Sequence, residues 1–197
     1  MGLRINDVVP NFTAETDQGT ITFHDWIGDS WAILFSHPKD FTPVCTTEFS
    51  AVAQLSTEWA ERNTKVIGVS VDSAEDHRKW KSDIESYGKS EAGFPIIADE
   101  GLAVSKAFDM LPVFIIGPDK QLKLSMTYPM TVGRNFAEIL RALDGLQISA
   151  KGVATPANWV PGEDVIIPPS VSNEDAKEKF GEFETIFPYL RKTKAPE

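Results

Sequence analysis

Cysteine is almost missing from this chain: Cys45 stands alone among 197 residues. A lone thiol cannot close a disulfide within the chain, so its worth lies in packing or in reactivity. Long apolar runs are missing too, and no stretch approaches the roughly 18 residues a membrane-spanning helix needs. The start, Met1-Gly-Leu-Arg-Ile-Asn6, has no apolar signal-peptide core, and Asn6 stands where a myristoylation pattern needs Ser or Thr. With one cysteine and no targeting segment, a reducing cytoplasm is the expected compartment. Basic residues are in deficit, 19 Lys+Arg against 29 Asp+Glu for a formal charge of -10, which opposes binding to nucleic acid or to an anionic membrane surface. The histidines are His24, His37 and His77, and their spacing with each other and with Cys45 is not that of a zinc site, so neither a metal nor a cofactor is expected.

What is present is an ordinary globular composition, 42% hydrophobic and 24% charged. Residues 12–15 and 20–23 read as a hairpin around Asp17-Gln18-Gly19, and the apolar run Trp31 to Ser36 as a buried strand. A helix beginning near Cys45 and running to about Arg62 follows, supported by Phe49, Val52, Leu55 and Trp59. Next come a strand at 65–71, a helix at 74–87 with Ser73 as N-cap, a short strand at 94–98 and a helix at 102–108. A second hairpin, 113–116 with 122–127, and an amphipathic helix at 135–146 complete the series. Strands alternating with helices and ending in a hairpin predict an α/β sandwich with a mixed sheet. From about Ile148 the texture changes: Pro156, Pro161, Pro168, Pro169, Pro188 and Pro196 interrupt a stretch with few periodic runs. We therefore expect a domain at 1–147 and an arm at 148–197 that has no core of its own and docks through Trp159, Val165, Ile166, Ile167 and Phe187 on the domain or on a second subunit.

The lone thiol sits where strand passes to helix, inside Pro38-Lys-Asp-Phe-Thr42-Pro43-Val44-Cys45-Thr-Thr-Glu48. Pro43 is tolerated only in a first turn and Thr42 is a good N-cap, so Cys45 falls within the first turn. Free backbone N–H groups and the positive end of the helix dipole favour a thiolate there. Such settings lower a thiol from about 8.5 to roughly 3.5–7.5. A reactive, acidified cysteine is the expectation.

Pro38, Thr42 and Cys45, in Pro-x-x-x-Thr-x-x-Cys spacing, resemble the active-site motif of the peroxiredoxins. The likeness continues through Ser36-His37-Pro38, Val113 to Lys120, Tyr128-Pro129, Gly133-Arg134-Asn135-Phe136, Ala154 to Trp159 and Pro188 to Arg191, and is similar to the one-cysteine branch, the peroxiredoxin 6 subfamily. It implies a thioredoxin-like fold, a mixed central sheet flanked by helices, with a C-terminal dimerisation arm. It also implies a thiol-dependent peroxidase acting on hydrogen peroxide and organic hydroperoxides, active as a homodimer.

By that resemblance Cys45 is the nucleophile, Thr42 hydrogen-bonds thiolate and peroxide, and Pro38 shields the sulfur from water. Glu48 orients an arginine, for which Arg134 is the match, and His37 and Val44 belong to the substrate pocket. A second arginine, which relatives carry just before the Val113 strand, has no counterpart: Asp109-Met110-Leu111-Pro112 leads straight into Val113. A loop of about four residues is sterically ordinary. Either the protein carries a further segment there, beyond these residues, or the site lacks one electrostatic element; the preserved flanks favour the first. Losing one such donor costs about 10²- to 10³-fold in rate.

Without a second cysteine, a sulfenic Cys45 needs an external thiol, of glutathione or thioredoxin type. Two other readings remain. Cys45 could serve a non-catalytic redox sensor or interaction protein as a switch, or the chain could add a phospholipase A2-type lipid hydrolase. For the latter the resemblance offers Ser30, His24 and Asp119. Gly28-Asp29-Ser30-Trp31-Ala32 lacks the final Gly of a nucleophile elbow, and Ser30 precedes a strand, so a plain turn is the favoured reading.

Overall fold

The computed structural model describes residues 2–109 and 112–196 and divides them into two compact units, one ending at Phe136 and one beginning at Ala137. In the first unit a seven-stranded sheet is built from β1 (Thr13–Thr16), β2 (Gly19–Thr22), β3 (Trp31–Ser36), β4 (Thr64–Ser70), β5 (Ile96–Ala98), β6 (Val113–Ile116) and β7 (Leu122–Met126). Their order is β2-β1-β5-β4-β3-β6-β7. The three central strands β5, β4 and β3 run parallel, and antiparallel partners close both sides, so the sheet is mixed as expected. The helices are α1 (Phe23–Ile27), α2 (Pro43–Gln54), α3 (Ser56–Glu61), α4 (Ala74–Gly88) and α5 (Ala103–Phe108).

Side chains alternate along β3, and this alternation divides the core. Ala32 and Leu34 join a cluster with Phe23 and Ile27 of α1 and Val104 and Phe108 of α5. Phe35 turns to the other face, 4.6 Å from the Phe49 ring of α2. There Gly68 of β4 is required by close approach: a Cβ would stand 2.8 Å from the Phe49 ring. The helix carrying Cys45 thus lies hard against the sheet.

The single helix expected from Cys45 to Arg62 is instead broken at Leu55. The carbonyl of Val52, which a continuous helix would offer to Ser56, accepts from the Leu55 N–H at 3.2 Å and from the Trp59 indole N–H at 3.0 Å. Ser73 caps α4 as expected, accepting from the Asp76 N–H at 3.2 Å while its hydroxyl donates to the Asp76 carboxylate at 2.8 Å.

The second unit contains α6 (Phe136–Ser149, from its second residue), β8 (Val165–Ile167), α7 (Asn173–Phe180), β9 (Glu184–Phe187) and β10 (Leu190–Thr193). The division falls one residue into α6, not at the 147/148 boundary expected from composition. Within this unit Arg141 of α6 donates to the Trp159 carbonyl at 3.0 Å, which ties the helix to the segment after it. The arm is not coreless, and that expectation is corrected. The strands pair antiparallel in the order β8-β10-β9, and Val153, Trp159 and Val165 are buried together with Ile148, Phe180 and Ala195 against them. The prolines lie outside the strands, so the backbone pairing survives them. Phe187, expected to dock, is exposed on β9.

Candidate active site

Thr42 takes the N-cap position of α2 with extended backbone, and Pro43 supplies the first turn, placing Cys45 in that turn as expected. Cys45 is buried and opens on a cavity of about 210 Å³. His37, Pro38, Val44, Glu48 and Arg134 share that lining, so five expected site residues meet the thiol in one place. Val69, Val71, Leu102, Met130 and Val132 make the rest of the wall largely apolar.

Thr42 does not cap through its side chain; its hydroxyl donates to the Lys39 carbonyl at 2.9 Å. The same hydroxyl lies beside Cys45 and favours its thiolate. A hydroxyl has one hydrogen, held here by the Lys39 carbonyl, so donating to the thiolate requires the hydroxyl to swing to the sulfur.

Glu48 and Arg134 form a buried pair. One Glu48 oxygen accepts from the Arg134 backbone N–H at 2.7 Å and from its Nε–H at 2.9 Å, and the other accepts from Nη2. Arg134 Nη1 donates to the Ser36 carbonyl at 2.8 Å, and the guanidinium stands 5.1 Å from the Phe35 ring. The expected partnership of Glu48 with Arg134 is therefore present, and it anchors the guanidinium to the end of β3.

The acidified thiol is not what the isolated fold produces. Burial pushes the Cys45 thiol up from its ordinary value, the Thr42 hydrogen bond pulls it down, Glu48 pushes it up and Arg134 pulls it down, with the upward direction prevailing. A helix start is favourable, but removing sulfur from water outweighs it. Of the described residues around the cavity, Arg134 is the arginine that opposes this. Met110 and Leu111, in the connection where the second arginine has no counterpart, lie outside the described residues.

A buried relay from His37 through Asp40 to His77 carries no signal in the sequence. His37 Nε2 lies 2.5 Å from Asp40 Oδ1, and the other Asp40 oxygen lies 2.6 Å from His77 Nδ1, all three side chains being fully buried. His77 Nε2 in turn lies 3.1 Å from the Ile97 carbonyl. Burial lowers the His37 pKa, and bonds from both histidines hold the Asp40 carboxyl below its ordinary value despite its burial. Asp72 joins from below, accepting from the Asp40 N–H at 2.8 Å and the Ser70 hydroxyl at 2.9 Å. His37, Asp40 and Asp72 each offer a ligand atom within 4.8 Å of the others, but these groups already bond one another and Ser70, and no ion is assigned there.

The residues proposed for lipid hydrolysis are bonded elsewhere. Ser30 donates to the Asn63 amide oxygen at 2.9 Å, His24 Nε2 lies 2.9 Å from the Val9 carbonyl, and Asp119 pairs with Lys123 at 2.6 Å.

Comparison with known proteins agrees with this geometry. The model of the AhpC/TSA family matches residues 5–167. Peroxiredoxin PRX1 of Saccharomyces cerevisiae, a mitochondrial protein, is 52% identical over 212 residues, covering 98% of this chain and 81% of the relative. Mouse peroxiredoxin-6 is 48% identical over 221 residues, covering 99% of both. Both matched spans exceed the 197 residues of this chain, so the relatives carry extra residues inside the matched region. Among solved structures, the yeast mitochondrial 1-Cys peroxiredoxin, described with its thiol resolving mechanism via glutathione/thioredoxin systems, superposes with a TM-score of 0.93 at 52% identity, covering 98% of this chain and 99% of that one. A cysteine-to-serine mutant of the peroxiredoxin 6 of Arenicola marina gives 0.94 at 44% identity, covering all of both chains. With its single thiol at a helix start and a thioredoxin-like sheet beneath it, the chain belongs to the AhpC/TSA family and, within it, to the one-cysteine peroxiredoxins, which are thiol-dependent peroxidases.

Proposed function

We infer that Cys45 reduces hydrogen peroxide and small organic hydroperoxides, and that an external thiol of glutathione or thioredoxin type returns it to the reduced state. The observation that carries this reading is the buried thiol opening on a cavity walled by Pro38, Glu48 and Arg134. A thiolate attacks the terminal peroxide oxygen, the S–O bond forms as the O–O bond breaks, and the electron pair leaves with alkoxide or hydroxide, which takes a proton from water. Sulfur is oxidised by two electrons to a sulfenic acid and the peroxide is reduced. Arg134, held by Glu48 and the Ser36 carbonyl, is a fixed positive charge for the departing oxygen, and a preorganised donor of this kind contributes about 10²- to 10³-fold. The apolar part of the wall suits the alkyl group of an organic hydroperoxide.

With a single cysteine, turnover depends on the added reductant. Steady-state peroxide consumption with glutathione, with a thioredoxin system and with neither tests this: sustained turnover without any thiol contradicts it. The apolar, exposed Ile186, Phe187 and Tyr189 around β9 support a homodimer joined through the C-terminal unit. The cytoplasm is the compartment we propose, and cell fractionation checks it.

A further inference from the structure

We propose that Asp40 and His77 are positioning residues that hold His37 as the tautomer with hydrogen on Nε2 and a bare Nδ1, ready to accept a hydrogen bond from the O–H of a peroxide at Cys45. The inference rests on the peroxidase reading and deepens it. Three observations carry it. The far end of the relay has a fixed sense, since a backbone carbonyl only accepts. His77 Nε2 therefore donates to Ile97, and its Nδ1 shares a proton with Asp40. The second Asp40 oxygen is left to accept from His37 Nε2–H.

That assignment leaves His37 Nδ1 without hydrogen, and Nδ1 is in fact a buried nitrogen with no protein partner. Leaving such a group unsatisfied is costly unless a partner arrives at another stage. His37 lines the Cys45 cavity, so the arriving partner is a ligand of that cavity. The ring has no freedom to turn: Trp80 packs on it at a tilt, 4.8 Å away, Phe49 meets it edge-on at 4.6 Å, and Asp40 holds the opposite nitrogen. The charged and titratable groups facing His37 are Asp40, His77 and Asp72. In the reaction the attacked oxygen keeps its hydrogen, which stays bonded to Nδ1 as the S–O bond forms, so the histidine aims the peroxide and the proton count is unchanged.

The test reads the tautomer and the chemistry separately. Nitrogen-15 NMR of the reduced full chain should show His37 Nδ1 bare and Nε2 protonated at neutral pH. Asp40→Leu, which removes the acceptor at Nε2, should release that tautomer and slow Cys45 oxidation by hydrogen peroxide about tenfold or more. Its alkylation by iodoacetamide, which has no O–H to aim, should stay within about twofold. His77→Asn keeps one donor toward Asp40 but loses the bond to Ile97, and should slow peroxide alone by a smaller factor; it decides the matter if Asp40→Leu does not fold. A protonated Nδ1 in the wild type overturns the proposal. So do variants that oxidise as fast as wild type, or that lose peroxide and iodoacetamide reactivity equally. A wild-type thiolate no faster with peroxide than that of free cysteine defeats the peroxidase reading, and with it any use for a bare Nδ1, whereas the preceding outcomes leave that reading standing.

Discussion

Cys45 is pulled in two directions, and the balance sets a pH dependence. Because burial and Glu48 together outweigh Thr42 and Arg134, the thiol ionises above its ordinary range. The thiolate fraction at neutral pH is then small, and the oxidation rate should climb steadily from pH 7 toward pH 9 with no plateau below the free-thiol value. Stopped-flow traces across that range check the sign: a rate already flat at pH 7 contradicts it. Glu48→Gln should move the thiol the other way, since it removes a nearby negative charge and leaves Arg134 uncompensated. The same change breaks a buried pair and should cost about 3–5 kcal/mol of stability, so the alkylation titration midpoint and the denaturant midpoint should both fall. Thr42→Val removes the hydroxyl that must reach the sulfur and should slow peroxide about 10- to 100-fold, a bond to a charged group being worth about 1.5–3 kcal/mol, with Thr42→Ser largely restoring it.

At the scale of elements, the site depends on how closely α2 is pressed on the sheet. A Cβ at Gly68 would stand 2.8 Å from two atoms of Phe49, so Gly68→Ala should overpack the interface beneath Cys45 and cost about 1–3 kcal/mol in a denaturant midpoint. Local signals made much of this readable in the sequence. Trp31 to Ser36 is β3 to the residue, and Thr42 and Pro43 do mark the start of α2. Where tertiary partners decide, the sequence is silent. The break at Leu55 depends on a tryptophan side chain capturing a backbone carbonyl, and β8, β9 and β10 pair across a proline-punctuated stretch whose periodicity is weak. The site divides in the same way. Pro38, Thr42 and Cys45 lie close in sequence, and Glu48 and Arg134, 86 residues apart, were matched only by resemblance. His77, 37 residues from Asp40, carried no spacing signal at all. The direction of the Cys45 shift was misread because a helix start is visible in sequence and burial depth is not.

For the whole molecule, one cysteine describes a thiol chemistry that closes its cycle only with an outside partner. The homodimer is the testable statement at this scale. Light scattering should give twice the 21.8 kDa of the chain, and a monomer at working concentration removes the proposed role of β9. The relatives are longer inside the matched span, and the described cavity has one arginine where the resemblance leads one to expect two, so efficiency is where this chain is most open to being caught out. The most direct measurement is the second-order rate of Cys45 with hydrogen peroxide, by stopped flow on the reduced chain beside free cysteine at the same pH. The account predicts a rate per thiolate, corrected for the ionised fraction at that pH, at least about 10²-fold above that of the free thiol, abolished in Cys45→Ser, because Arg134 alone supplies that order of stabilisation. A rate per thiolate equal to that of free cysteine would contradict it and leave Cys45 as a sensor rather than a catalyst.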